Sequence, residues 1–112
     1  MRFATLTVAA MISIMAESAS AAVGLDTYVD KNGYLDVQAL TCDQLANTYQ
    51  EDANALAFWY SGWYNGLAKK HYYHMTRSKG LEHELIVYCK AHRDQKIIHA
   101  LDVLFKEERD KQ

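Results

Sequence analysis

The sequence lacks proline, and it also lacks internal repeats and low-complexity tracts. It has no glycine-rich phosphate loop, no paired-carboxylate motif and no nucleophile placed beside a base, so the residues do not predict an enzyme. No basic run is longer than Lys69-Lys70 and the net charge is −2, which argues against nucleic acid as a partner. The informative residues are therefore the two cysteines, the five histidines and the aromatic rings.

A long apolar run occurs only at the start of the chain, from Phe3 to Ala16, after Arg2. Ala19-Ser20-Ala21 places small residues where a signal peptidase reads them, which predicts cleavage before Ala22. A transmembrane anchor is the competing interpretation. Fourteen residues span only about 21 Å, however, against a hydrocarbon core about 30 Å thick. We therefore expect a cleaved signal peptide (1–21) and no membrane anchor afterwards, then an irregular arm (22–40) and a helical domain (41–112).

The only cysteines are Cys42 and Cys89, 47 positions apart. In an exported protein an even number of cysteines predicts disulfides, and two cysteines allow one intramolecular bond. The loop-closure model gives such a bond about 4 kcal/mol, comparable to the whole stability of a small domain. Two unrelated free thiols are the alternative.

Helical signals begin at Thr41, and no stretch alternates as a strand would. Thr41 and Gln44 have the spacing of a capping box. The charge and apolar patterns predict helices over about 41–49, 51–69, 81–91 and 95–109, with residues 71–80 as a polar, aromatic loop. The predicted fold class is all-α, a small bundle of about four helices stapled by one disulfide.

The second predicted helix carries the segment FWYSGWYNG. At about 100° per residue, Leu56, Trp59, Trp63 and Leu67 share one arc, and we expect this arc to face the core. A membrane-spanning helix is excluded because charged residues lie only about 17 residues apart at its two ends. A ligand-binding box has no supporting chemistry.

Gly62 and Gly66 lie beside that arc, and each interior glycine costs about 1 kcal/mol relative to alanine. They predict a helix-packing groove that admits the third helix, the fourth helix or a partner subunit. Phe58, Tyr60 and Tyr64 exceed what so small a bundle can bury. We expect these rings to be exposed, to lie at a dimer interface or to become exposed conditionally.

The histidines form no motif of known chemistry. His71 and His74, with His83 nearby, have imidazoles that could bind a divalent metal, but solvated side chains are the default, and we expect no metal or cofactor. His99 is expected at a helix–helix contact. Histidines titrate between pH 5 and 7, so His71, His74, His83 and His99 are candidate pH sensors. With every histidine and carboxylate protonated, the 11 lysines and arginines after residue 21 would bring the side-chain charge to about +16.

Three segments together resemble the HdeA/HdeB family of periplasmic acid-stress chaperones: LTCDQL at 40–45, FWYSGWYNG at 58–66 and VYCKAHRDQKIIHAL at 87–101. The resemblance runs from about Leu40 to Arg109. It implies a periplasmic, single-disulfide helical protein that is a homodimer at neutral pH. In acid such a protein exposes apolar surface, holds unfolding periplasmic proteins without ATP and releases them when the pH recovers.

Carried over by position, Cys42 and Cys89 would form the family's disulfide. The dimer contact and client-binding surface would include the rings of Phe58, Trp59, Tyr60, Trp63 and Tyr64. The mixed-charge end KEERDKQ departs from the lysine-rich ends common in the family, and the 71–74 loop has no counterpart we can assign. The competing hypothesis is therefore a periplasmic binding or inhibitor module that works at neutral pH without acid activation.

Overall fold

The computed structural model describes Ala4 and residues 21–110. Residues 21–110 form one 3₁₀ helix and four α-helices: the 3₁₀ helix Leu25–Tyr28, α1 (Cys42–Ala46), α2 (Gln50–Leu67), α3 (Met75–Ala91) and α4 (Ile97–Asp110). Within these residues there is no strand, only an isolated bridge between Thr41 and Lys96. The predicted all-α class is confirmed. Apart from Ala4 and Ala21, the predicted signal peptide lies outside the described residues.

The start of α1 has the capping box that the sequence predicted. The Thr41 hydroxyl accepts the backbone N–H of Gln44 at 3.3 Å, and the Gln44 side chain accepts the backbone N–H of Thr41 at 2.9 Å. These reciprocal bonds satisfy two N–H groups that would otherwise lack partners at a helix start. The helix ends at Ala46, three residues earlier than predicted.

A disulfide joins Cys42 of α1 to Cys89 of α3, with 4.5 Å between the two Cα atoms. Backbone bonds reinforce this junction, because the Cys42 N–H donates to the Gln95 carbonyl at 2.7 Å and the Ile97 N–H donates to the Leu40 carbonyl at 3.0 Å. We call residues 40–43 and 89–97 the base of the molecule. The base holds α1 against the turn between α3 and α4.

The hydrophobic core includes the buried side chains of the base and continues between α1, α3, α4 and the first half of α2. Leu25 of the arm inserts into it, and its N–H donates to the Asp52 carboxylate at 2.9 Å. The arm is further attached by Leu35 and Val37, which pack against the core, whereas Tyr34 is exposed. The buried apolar side chains are Leu25, Leu40, Cys42, Leu45, Ala53, Leu56, Tyr60, Leu85, Cys89, Ile97, Ala100, Leu101 and Leu104.

The third helix begins six residues earlier than its apolar pattern predicts, at Met75 rather than at residue 81. The prediction of a loop through residue 80 was wrong for two reasons. The His74 side chain caps the helix by accepting the Arg77 N–H at 3.1 Å. The Arg77 side chain also pairs with Glu108 of α4, with 2.5 Å between Nε and Oε1. Neither interaction is visible in the local apolar periodicity of the segment.

At the other end of the connecting segment, α2 stops at Leu67 with a residue in the left-handed region. Lys69 has a φ of 54°, the Lys69 N–H donates to the Gly66 carbonyl at 3.0 Å, and the Lys70 N–H donates to the Asn65 carbonyl at 2.9 Å. This pair of bonds is the Schellman pattern, in which glycine is the usual left-handed residue. At the end of α2, Lys69 therefore adopts a left-handed conformation that glycine would adopt with less strain.

Candidate functional site

The buried face of α2 is centred on Leu56 and Tyr60. Tyr60 is 2% exposed, whereas Trp59 is 46% and Leu67 is 67% exposed. The prediction that Trp59 and Leu67 face the core is wrong. The bundle also buries Tyr60, which the sequence placed among the rings that it could not bury. The core contacts the side of the predicted arc that carries Leu56 and Tyr60, which leaves Trp59 exposed. Leu67 is exposed because α2 extends beyond the core at its C-terminal end. Trp63 is half-buried, packed against the edge of the core.

Tyr60 connects α2 to the arm. Its hydroxyl donates a hydrogen bond to the backbone carbonyl of Val37. Burial raises the pKa of the Tyr60 phenol, and the neighbouring Tyr64 and Asp36 raise it further. The neutral phenol is therefore strongly favoured in the folded chain, and it holds residue 37 against α2.

A chain of aromatic contacts continues from Tyr60 across α2 to α4. The Trp59 ring meets the edge of Tyr60 at 5.6 Å and lies 5.6 Å from Trp63, and Trp63 lies 5.3 Å from Tyr64. Tyr64 makes an edge-to-face contact with Phe105 of α4 at 5.1 Å. Burial raises the pKa of Tyr64, with a further contribution from Asp102. These rings fix the orientation of the second half of α2, where few aliphatic side chains are buried.

The outer face of α2, formed by Phe58, Trp59, Gly62 and Gly66, has no helix packed on it. Phe58 is 56% exposed. A Cβ atom added at either glycine would meet nothing within 4 Å among the described residues. The predicted groove therefore admits neither α3 nor α4. A partner subunit, the third option, remains a prediction.

Between α2 and α3 lies an open groove with a volume of about 730 Å³. Its floor is apolar and comes from three helices, and the segment 70–74 closes one end. Phe58 and Tyr73 meet across that end, with 5.9 Å between the ring centroids. We call this cavity the α2–α3 groove. Its apolar lining includes Phe58, Tyr60, Tyr64, Tyr72, Tyr73, Leu81, Leu85, Ile86, Leu101 and Phe105.

Charged side chains stand around this apolar lining. Lys70, Lys79 and Arg109 contribute positive charge, Glu82 contributes negative charge, and Arg77 is paired with Glu108. The bond with Glu108 raises the pKa of Arg77. An apolar groove with a polar rim is the usual form of a site that takes up apolar segments of another molecule.

The four predicted pH sensors lie in different surroundings, and all four are exposed. His71 contacts the Tyr72 ring at 4.3 Å, and His74 caps α3. His83 lines the α2–α3 groove. His99 lies on the exposed side of α4, so the expectation of a helix–helix contact there is wrong.

His92 is the histidine that the sequence analysis left out of this set. Its ring stacks on Tyr88 at 4.0 Å, and its Nδ1 lies 2.9 Å from the Tyr88 carbonyl oxygen. The spacing of four residues between Tyr88 and His92 was the signal that could have predicted this contact. Residues 21–110 contain no group of three or more metal-ligating side chains, and no helix there is long and apolar enough to cross a membrane.

The comparison with protein families decides the relationship. The sequence model of the HdeA/HdeB family matches residues 3–99, which is most of the chain. The chain belongs to the HdeA/HdeB family. No curated protein and no solved structure matches the chain significantly. The family is one of periplasmic acid-stress chaperones rather than of enzymes. The matched range contains the disulfide, the whole of α2 and the histidines at both ends of α3.

Proposed function

We propose that this protein is an ATP-independent periplasmic holdase, which exposes apolar surface in acid and prevents aggregation of unfolding client proteins. The observation that carries the proposal is the aromatic surface of α2 in a member of this family. Phe58 and Trp59 are more than two-fifths exposed in the folded chain, and Phe58, Tyr60 and Tyr64 line the α2–α3 groove. Unfolding proteins present apolar segments, and such segments are the chemical partner of this surface.

Acid acts on the contacts that hold the helices together. The Arg77–Glu108 pair joins α3 to α4, the Arg93–Asp43 pair at 3.0 Å joins the turn between α3 and α4 to α1, and the Asp52 carboxylate holds the arm through Leu25. The two ion pairs need a charged carboxylate, and the Leu25 N–H bond is stronger to a carboxylate than to a neutral carboxyl group, so strong acid weakens all three contacts. The accompanying change of charge makes the helices repel one another, while the disulfide keeps α1 bonded to α3.

The same charge keeps a chaperone–client complex soluble, because the side-chain charge after residue 21 rises toward +16 in strong acid. At neutral pH we propose a homodimer in which the outer face of α2 is covered by a second copy. Phe58 and Trp59 then belong to a surface available on dissociation, whereas Trp63 and Tyr64 pack against the core and against α4 and become available only when those contacts loosen. Tyr60 is buried, so it becomes available only after α2 leaves the core.

A pH series of client aggregation tests the proposal. Light scattering of an acid-unfolding client is recorded from pH 7 to pH 2, with and without reductant, and the mass of the protein is measured at each pH. We expect suppression of aggregation to rise as the dimer dissociates. The double variant Phe58→Ser, Trp59→Ser should lose most of the suppression. Val87→Ser, which removes an exposed apolar side chain from α3, is the matched control and should keep it.

A constitutive binding or inhibitor module is the second candidate, since Phe58 and Trp59 are already exposed in the folded chain. The two functions differ in how the fold responds to acid. A chain that stays folded at pH 3, with no new binding of an apolar dye and no change of mass, would contradict the acid-activated holdase. Dissociation together with new dye binding would contradict the constitutive module.

A further inference from the structure

The two ends of α3 each carry a histidine, and the two rings make opposite kinds of hydrogen bond. His74, the N-cap residue, accepts the backbone N–H of Arg77 on its Nδ1 at 3.1 Å. The Nδ1 of His92, the C-cap residue, lies 2.9 Å from the Tyr88 carbonyl oxygen. A carbonyl oxygen only accepts, so at this end the ring nitrogen is the donor.

Protonation therefore affects the two ends differently. An imidazolium carries hydrogen on both ring nitrogens and cannot accept a hydrogen bond, so a protonated His74 loses its cap. It also places positive charge at the helix N-terminus, where the helix dipole is positive. A protonated His92 keeps its bond to Tyr88, and its charge lies at the C-terminus, where the dipole favours it.

Few interactions other than the His74 cap hold the first two turns of α3. Residues 75–80 are exposed except for the half-buried Ser78. The first turn contains no acidic residue, and Gly80 lowers the helix propensity of the second turn. The Arg77–Glu108 pair is the one ion pair that attaches this segment among the described residues.

The ionisable groups around His74 give its positive charge little compensation. His74 lines the α2–α3 groove, and so do six other residues that are charged or are histidines: Lys70 from the connecting segment, Arg77, Lys79, Glu82 and His83 from α3, and Arg109 from α4. Most of these groups are cationic or become so in acid, and within residues 21–110 no carboxylate pairs with the His74 ring. A charge on His74 is thus opposed by the helix dipole, and no carboxylate in residues 21–110 pairs with it.

We propose that His74 is a pH-sensitive cap that controls the end of the α2–α3 groove closed by segment 70–74. Its protonation in mild acid releases the first two turns of α3, and the contact of the adjacent Tyr73 with Phe58 is lost with them. The consequence for clients rests on the proposed function, whereas the opening itself is a property of the fold.

The experiment follows α3 by NMR in the full domain, with no client present. Backbone Cα shifts report the helical fraction of residues 75–80, and the imidazole shifts of His74 report its protonation, both from pH 7 to pH 5. We expect the helix–coil equilibrium constant of this segment to fall about fivefold, since an N-cap is worth about 1 kcal/mol. The midpoint should coincide with the His74 titration.

Two variants make the test specific. His74→Asn keeps a strong N-cap acceptor that does not titrate, so its segment 75–80 should stay helical down to pH 5. His92→Gln removes the other imidazole, and it should behave as the unmodified protein does. Unchanged helicity in the unmodified protein, or equal loss in His74→Asn, would overturn the proposal. Helix loss without suppression of client aggregation would support the cap and count against the holdase.

Discussion

Replacing Tyr60 by phenylalanine tests whether the buried phenol holds the arm to α2. The variant keeps the ring, which is 2% exposed, and removes only the hydroxyl that donates to the Val37 carbonyl. A net hydrogen bond is worth about 0.5–1.5 kcal/mol, and a buried group left without its partner costs about 1–3 kcal/mol. Val37 is half-buried, so water reaches its carbonyl in part. We therefore expect a loss of about 1.5 kcal/mol.

In a domain of this size a loss of about 1.5 kcal/mol lowers the Tm by roughly 6–12 °C. Urea denaturation at pH 7, followed by tryptophan fluorescence, measures the loss directly. Tyr34→Phe is the matched control because Tyr34 is 74% exposed, and we expect its free energy of unfolding to change by less than about 0.5 kcal/mol. Equal stabilities of the two variants would refute the argument from the hydrogen bond.

The same variant has a signature in alkaline solution. Burial raises the pKa of Tyr60 above that of an unfolded tyrosine, which is about 10. The stability due to this shift is complete below pH 10, and it is lost as the pH rises from 10 toward the raised value. The unmodified protein should therefore lose stability above pH 10 more steeply than Tyr60→Phe. Parallel curves would show that the phenol is not desolvated.

Three further predictions concern other parts of the fold. Reduction of the disulfide should lower the free energy of unfolding by about 4 kcal/mol, measured by urea denaturation with and without reductant. Gly66→Ala should stabilise the isolated subunit by about 1 kcal/mol because the added Cβ meets nothing within 4 Å. If a second copy covers this face, the same substitution should make the dimer dissociate more easily, as measured by analytical ultracentrifugation. Lys69→Gly should raise the Tm by a few degrees, since glycine adopts the left-handed φ without strain.

The features that the sequence predicted correctly depend on neighbours in the chain. The capping box joins Thr41 to Gln44, three residues on, and the apolar stripe of α4 repeats within one helix, so both are encoded locally. The disulfide was predictable for another reason, because two cysteines allow one intramolecular pairing. Family membership was predictable since its segments include these same features.

The features that the sequence did not predict depend on distant partners. The buried face of α2 is set by where α1, α3 and α4 lie, and the helical pattern of α2 gives only the relative angles of its rings. Tyr60 is buried because it meets Val37, 23 positions earlier. The start of α3 depends on Glu108, which lies on another helix. Apolar periodicity reports neither contact, so the sequence predicted Tyr60 among the rings that the bundle cannot bury and residues 75–80 in a loop.

The base also bears on the recovery from acid that we propose for this protein. The disulfide makes residues 42–89 a ring closed at the base, and α2 together with most of α3 forms that ring. Re-association of helices within one chain is unimolecular with or without this bond, but the ring keeps the separated helices near one another and so lowers the entropy lost when they close. The closing rate should therefore be independent of protein concentration, whereas the rate at which the proposed homodimer re-forms should rise with it.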